Sequence, residues 1–295
     1  MSTFSRPGGF QVLPPIVKNL VIINVIFALG QMALGARGID LADYLGLHYW
    51  RSSLFQPWQL VTHLFMHGSA YSWNATLIHL FSNMFALWMF GSMLENIWGA
   101  KKFLTFYFVC GIGAALCHLA VLGYGFHNLD TEVQAFMSNP TVDQFDTMLK
   151  RNDWLGDPRL PGLNNLDMVW QSDPGNDSYR GIAVKSINNV LYGGMDMQAG
   201  QRFEGLYDQA TVGASGAVFG ILFAFGYLSP NMLLYFYFLF PIKAKWFVFF
   251  YAGFELYAGV RGSASDNVAH FAHLGGMLFA FMLLRFWKSR PPRFS

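Results

Sequence analysis

The sequence predicts an all-α polytopic membrane protein, with six transmembrane helices and a partly folded soluble insertion between the third and fourth. Three observations predict it. Of 295 residues, 54% are hydrophobic and 18% aromatic while only 12% are charged, where a soluble domain spends about a quarter of its residues on charge. The apolar residues come in blocks that approach the roughly 20 residues a helix needs to cross about 30 Å of hydrocarbon. One long segment, 124–208, breaks that regime with Pro, Asn and Gly and with 12 carboxylates against six Lys and Arg.

The blocks fall at 16–36, 77–96, 103–122, 211–228, 246–260 and 268–286. The fifth is short. The stretch 232–240 before it, bracketed by Pro230 and Pro241 and followed by Lys243 and Lys245, is assigned to the membrane interface. If six helices alternate, Arg6, Lys18, Lys101, Lys102, Lys243, Lys245, Arg285, Lys288, Arg290 and Arg293 share one side, and the short loops opposite offer Arg37, Arg51 and Arg261. Cytoplasmic loops carry the excess of Lys and Arg, so both termini are expected in the cytoplasm, in the plasma (inner) membrane if the source is bacterial. No small-residue cleavage site follows the first block, which reads as an anchor. This topology accounts for the net charge of +2 and gives no reason to expect a nucleic-acid partner.

Cys110 and Cys117 lie seven apart on one helix, about two turns, too far to bond to each other, and read as packing residues. Within the insertion, Asn139-Pro140 ahead of Val142, Phe145 and Leu149 predicts a capped amphipathic helix. Trp154, Trp170, Tyr179 and Tyr192 are its expected hydrophobic anchors. A single membrane domain over 1–295 is thus interrupted by 124–208 on the non-cytoplasmic side.

Polar groups inside the spans are costly and mark function or helix contact. The first cluster is Gly213-Ala214-Ser215-Gly216, continuing to Phe219 and Gly220. Gly213 and Gly216 allow close backbone approach, and Gly216 with Gly220 makes a small-xxx-small face; alone, Ser215 reads as readily as a packing residue. The second is Ala269-His270-Phe271-Ala272-His273, with Gly276 one turn beyond His273. These histidines can be structural, or metal ligands three apart, or one can be a base. The third is His79 with Asn83, stacked on one helix face by their i, i+4 spacing, both able to donate as an oxyanion site requires or to serve as interhelical glue. All three clusters fall at matching depth on three helices and together supply nucleophile, base and oxyanion donors. A positioned Ser–His pair is sufficient for nucleophilic catalysis.

Arranged so, His79-x-x-x-Asn83, Gly213-x-Ser215-Gly216 and Ala272-His273-x-x-Gly276, with Glu95-x-x-x-Gly99 and Thr62-His63-x-Phe65-x-His67, resemble the rhomboid proteases over about 16–122 and 210–290. The resemblance implies a six-helix rhomboid bundle around a water-filled cavity, and peptide-bond cleavage in single-pass or other transmembrane protein substrates by a Ser215–His273 dyad without metal, cofactor or a required acid. It makes Asn83, His79 and the Ser215 amide the oxyanion site and stacks Phe219 on His273 in place of a carboxylate. Only His273 has Gly three residues on, which selects it over His270 as base; Asp266 is read as a solvated loop residue. Trp246, Phe249 and Phe250 are candidates for a lateral gate. The chain departs from the family pattern at Gln59 after Trp58, in an apparent insertion at 68–76, and in 124–208. The alternatives are a non-catalytic rhomboid-like chaperone or scaffold that binds transmembrane helices, and a metal-dependent protein using the histidines. Against the latter, no His-Glu-x-x-His occurs and the outer span ends are read as free of Glu.

Overall fold

The structure is a computed structural model that describes residues 9–68, 73–155, 160, 162–196, 201–203, 205–236, 240–261 and 269–287. Arg6, Lys288, Arg290, Arg293, Asp266 and residues 69–72 of the apparent insertion lie outside them. The main helices are α1 Pro15–Gly35, α2 Trp73–Trp98, α3 Ala100–Ser138, α4 Val142–Arg151, α5 Leu163–Ser172, α6 Asp177–Tyr192, α7 Ser215–Leu228, α8 Ala244–Arg261 and α9 His270–Phe286. Two short hairpins accompany them, β1 Gly194–Asp196 with β2 Gln201–Phe203 and β3 Leu233–Phe236 with β4 Phe240–Lys243. The chain divides into two compact units. One comprises the segments to Leu47, Gln56–Leu119 and from Ala210 onward; the other comprises His48–Phe55 and Ala120–Gln209.

α1, α2 and α3, the last continuing into the second unit, are long and apolar enough to cross a membrane, and α7 and α9 of the first unit are shorter apolar helices. Their polarity is inverted relative to a soluble bundle. Ile22, Ile26 and Leu29 of α1 and Ile78 and Phe81 of α2 are exposed, the last two at 70% and 71%. Asn24, Gln31, Asn83, Glu95, Glu255, His270 and His273 are buried. Lipid satisfies apolar surface but offers no hydrogen bonds, so polar side chains must turn inward to find partners. Glu95 shows the consequence: its carboxylate accepts from the amides of Ile16 and Val17 at 2.9 and 2.8 Å. Those are first-turn amides with no acceptor inside α1, whose Pro15 opens the helix without needing one.

A π-helical turn at Leu87–Gly91 interrupts α2. It brings Gly91 against α1 and α3, where an added Cβ would stand 3.1 Å from Phe103 and 3.3 Å from Val17. The tightest approach is between α7 and α9. A Cβ on Gly276 would fall 1.9 Å from the Gly216 carbonyl oxygen, and one on Gly220 would meet Cys110 at 2.7 Å. Cys117 fills the equivalent place opposite Gly275. The two cysteines are free and each packs against a glycine of a neighbouring helix. Between α7 and α8, β3 and β4 pair antiparallel with Pro241 opposite Tyr235. Proline is tolerated on such an edge because it has no N–H to give.

The second unit has its own core, in which Phe136, Phe145, Met148, Leu149, Trp170, Ile187 and Tyr207 are fully or nearly fully buried. α3 runs unbroken past 122 to Ser138. The amphipathic helix α4 forms, but its cap is Thr141, whose hydroxyl accepts from the Gln144 amide at 3.3 Å; Asn139 stands outside because the intervening Pro140 holds the chain extended. Trp154 and Trp170 are buried, whereas Tyr192 is 46% exposed at the end of α6. Arg51 pairs with Asp130 at 2.9 Å and Ser52 donates to Asp208 at 2.7 Å, while the Tyr207 phenol donates to Asp130.

Replacing Gly276 by Ala should drive α9 away from the Gly216 carbonyl, costing about 1–3 kcal/mol; a Tm in detergent unchanged from the parent protein would mean that this contact does not set the helix spacing. In the second unit, burial holds the Asp167 carboxyl above its ordinary value of 3.8, against the opposing hydrogen bond from Gln171. The folded unit therefore favours the protonated acid. Stability from this group is fully present below the unfolded value and is lost as pH rises through the raised folded value. Asp167→Asn should consequently increase hydrogen-exchange protection of Leu163–Ser172 at pH 7 and do less at pH 4; lower protection at pH 7 would contradict the assignment.

Candidate active site

The segment ahead of α7 is tied down before Ser215 is reached. Thr211 and Leu47 exchange backbone hydrogen bonds of 2.8 and 2.9 Å. The Thr211 hydroxyl shares a hydrogen bond with His118 Nε2 of α3 at 2.8 Å. Gly213 donates to the His63 carbonyl at 2.9 Å, and the His63 ring in turn donates through Nδ1 to the Gln59 carbonyl at 2.7 Å. Gln59 is held by bonds of its side chain, which accepts from the Gln56 amide at 3.1 Å and donates to the Tyr44 carbonyl at 3.3 Å.

Gly213 has φ +128°, a conformation in which a side chain would be strained, and a Cβ there would stand 2.9 Å from His79 Cε1 and 3.4 Å from Ser215 Oγ. The turn thus seats the His79 ring beside the serine. Ser215 itself opens α7, so its amide belongs to the first-turn donors that have no acceptor within the helix and that carry the positive end of its dipole.

His273 sits one turn into α9, and the Gly216–Gly276 approach sets it opposite Ser215. Ser215 Oγ lies 2.9 Å from His273 Nε2. The Phe219 ring, one turn along α7, lies flat on the imidazole, with centroids 4.0 Å apart and planes inclined by 4°; Tyr251 of α8 packs on Phe219 from its side at 4.9 Å.

Sequence reasoning missed the next residue. Glu255 of α8 is 3% exposed, and its Oε2 lies 2.9 Å from His273 Nδ1 and 2.7 Å from His270 Nδ1. The apolar helix α8, which covers the fifth predicted span, does carry a Glu beside the histidines, contrary to the sequence reading. The signal was available, since a lone carboxylate in an apolar helix requires a partner. Which partner it has depends on how α8 is rotated against α9, and that is a tertiary matter. The ligand atoms of Glu255, His270 and His273 lie within 4.8 Å of one another and are the group among the described residues that could hold a metal ion.

On α2, Asn83 is buried and its Nδ2 finds no acceptor among the described residues. The His79 ring meets His67 edge to face at 5.2 Å. Trp246, Phe249 and Phe250 pack on one another at 5.6–6.2 Å and are exposed on α8. They occupy the face opposite Glu255, nine residues or half a turn away from Trp246, so it is Tyr251 and Glu255 that α8 turns toward the Ser215–His273 pair. Phe249 instead lines an apolar crevice of about 530 Å³ with Phe223, Tyr227, Leu274, Leu278 and Phe281.

The Rhomboid domain family matches this chain over residues 54–127 and 183–289, which include Ser215, His273, His79, Asn83 and Glu255. A comparison with curated proteins finds no match. Members of the family are generally serine proteases that act on transmembrane substrates within the bilayer, and inactive members exist. With that family matched over more than half of its residues, and with three helices of membrane-crossing length and composition, the chain is an integral membrane protein that belongs to the rhomboid family.

Proposed function

We propose that the chain is an intramembrane serine endopeptidase that cleaves transmembrane-anchored proteins near the outer membrane face, with Ser215 as nucleophile and His273 as general base. The observation that carries this reading is the 2.9 Å contact between Ser215 Oγ and His273 Nε2, on an imidazole whose plane is held by Phe219. The base removes the hydroxyl proton as Oγ attacks the scissile carbonyl, and returns it to the leaving amine; water then hydrolyses the acyl-enzyme. The negative charge that develops on the carbonyl oxygen falls to the Ser215 amide, to His79 and to Asn83. A buried amide nitrogen with no partner among the described residues is costly, which supports a donor reserved for the oxyanion.

Substrate helices enter laterally between the second and fifth spans and unwind, since an extended bond exposes backbone groups that lipid cannot satisfy. Both termini lie in the cytoplasm, on the side rich in Lys and Arg. A fluorophosphonate probe separates this enzyme from an inactive helix-binding relative: Ser215 is expected to be labelled, and its failure to label would favour the scaffold.

In proteoliposomes with a model transmembrane substrate, Ser215→Ala should abolish cleavage; full retained cleavage would remove Ser215 from the mechanism. Asn83→Ala should lower kcat by about 10²–10³-fold. An unchanged kcat would leave the oxyanion to the other donors.

A further inference from the structure

We propose that Glu255 is a positioning residue of this site, holding His270 and His273 as Nδ1–H donors so that His273 presents its Nε2 lone pair to Ser215. The inference rests on the proposed protease reading. A carboxylate accepts hydrogen bonds and donates none, so the contacts of 2.7 and 2.9 Å to one oxygen, Oε2, are donated by the two rings. A neutral imidazole with its proton on Nδ1 has a free pair on Nε2, which is the nitrogen 2.9 Å from Ser215 Oγ.

The aromatic stack does not accomplish this. Phe219 fixes the plane of the imidazole, at 4° from its own. A plane is preserved when the ring turns over about its Cβ–Cγ bond, and it is indifferent to which nitrogen carries the proton. Turning the ring over would place carbon where Nε2 now meets Ser215, and the other tautomer would put a proton there. A buried carboxylate at Nδ1 opposes both, and it favours the imidazolium formed when Ser215 gives up its proton.

His270 completes the arrangement from its place at the start of α9. Its second donor on the same oxygen keeps the carboxylate aimed, and α8 and α9 are thereby joined at the catalytic level. The spacing also distinguishes hydrogen bonds from a metal site. Ligands around a tetrahedral zinc ion stand about 3.3 Å apart, whereas these nitrogens lie 2.7 and 2.9 Å from the oxygen.

The test uses the full chain in proteoliposomes with a model transmembrane substrate. Glutamine at 255 keeps an oxygen where Oε2 stands but carries no negative charge, so the site loses the charge that opposes the Nε2–H tautomer and favours the imidazolium. Glu255→Gln is expected to lower kcat on the order of 10²-fold with KM within about threefold of the parent, and Glu255→Asp to recover part of that loss. If Glu255→Gln keeps kcat within about threefold while Ser215→Ala is inactive, the positioning role is overturned and the protease reading stands; activity in Ser215→Ala would overturn the protease reading itself. Nitrogen-15 histidine spectra of the parent protein, assigned with His270→Asn, need no substitution at Glu255. A proton on Nδ1 of His273 is expected, and the Nε2–H tautomer would overturn the proposal. So would parent activity lost to a chelator and restored by Zn²⁺, which would put a metal ion where the hydrogen bonds are.

Discussion

The approach of α7 to α9 through Gly216 and Gly276 is the contact on which the rest of the site depends. With 1.9 Å between a hypothetical Gly276 Cβ and the Gly216 oxygen, neither helix tolerates a side chain at that point. Ser215 precedes one glycine by a single residue and His273 precedes the other by three, so the backbone contact fixes the distance between hydroxyl and imidazole. Phe219 and Gly220 follow on the same helix and carry the stack and the next close contact.

A second constraint comes from the solvent. In lipid, exposed Ile, Leu and Phe cost nothing, while every buried Asn, His or Glu requires a partner. Three groups of the first unit show it. Glu95 satisfies the amides that open α1, Gln31 reaches the Gly68 carbonyl at 2.7 Å, and Glu255 takes two imidazole donors. Asn83 Nδ2, like Ser92 Oγ and Gln31 Oε1, has no hydrogen-bond partner among the described residues. Of these, the Asn83 donor is the one that belongs to the proposed oxyanion site, where a partner would arise during the reaction.

Much of this was legible in the chain because membrane spans and close helix contacts leave strong local signatures. Apolar blocks predicted the positions of the helices, although α3 continues beyond its block to Ser138, where it is covered by the residues of the second unit instead of by lipid. The helix α4 was foreseen from its apolar spacing, but its cap was misplaced, since a cap depends on which side chain reaches the amide two or three residues on. Ser215, His273, His79 and Asn83 stood out as polar groups at matching depth. Phe219 came from the family pattern alone.

The sequence by itself determined the membrane setting, the order of the apolar helices and the short list of polar residues, because hydrophobicity, glycine spacing and helical period are local quantities. Only the tertiary structure decided which of those residues meet. It brought Glu255, 15 and 18 residues from its two histidines, onto both of them, and turned Trp246, Phe249 and Phe250 away to the opposite face. Rotation of one helix against another is set by packing over its whole length, and no spacing within a single helix encodes it.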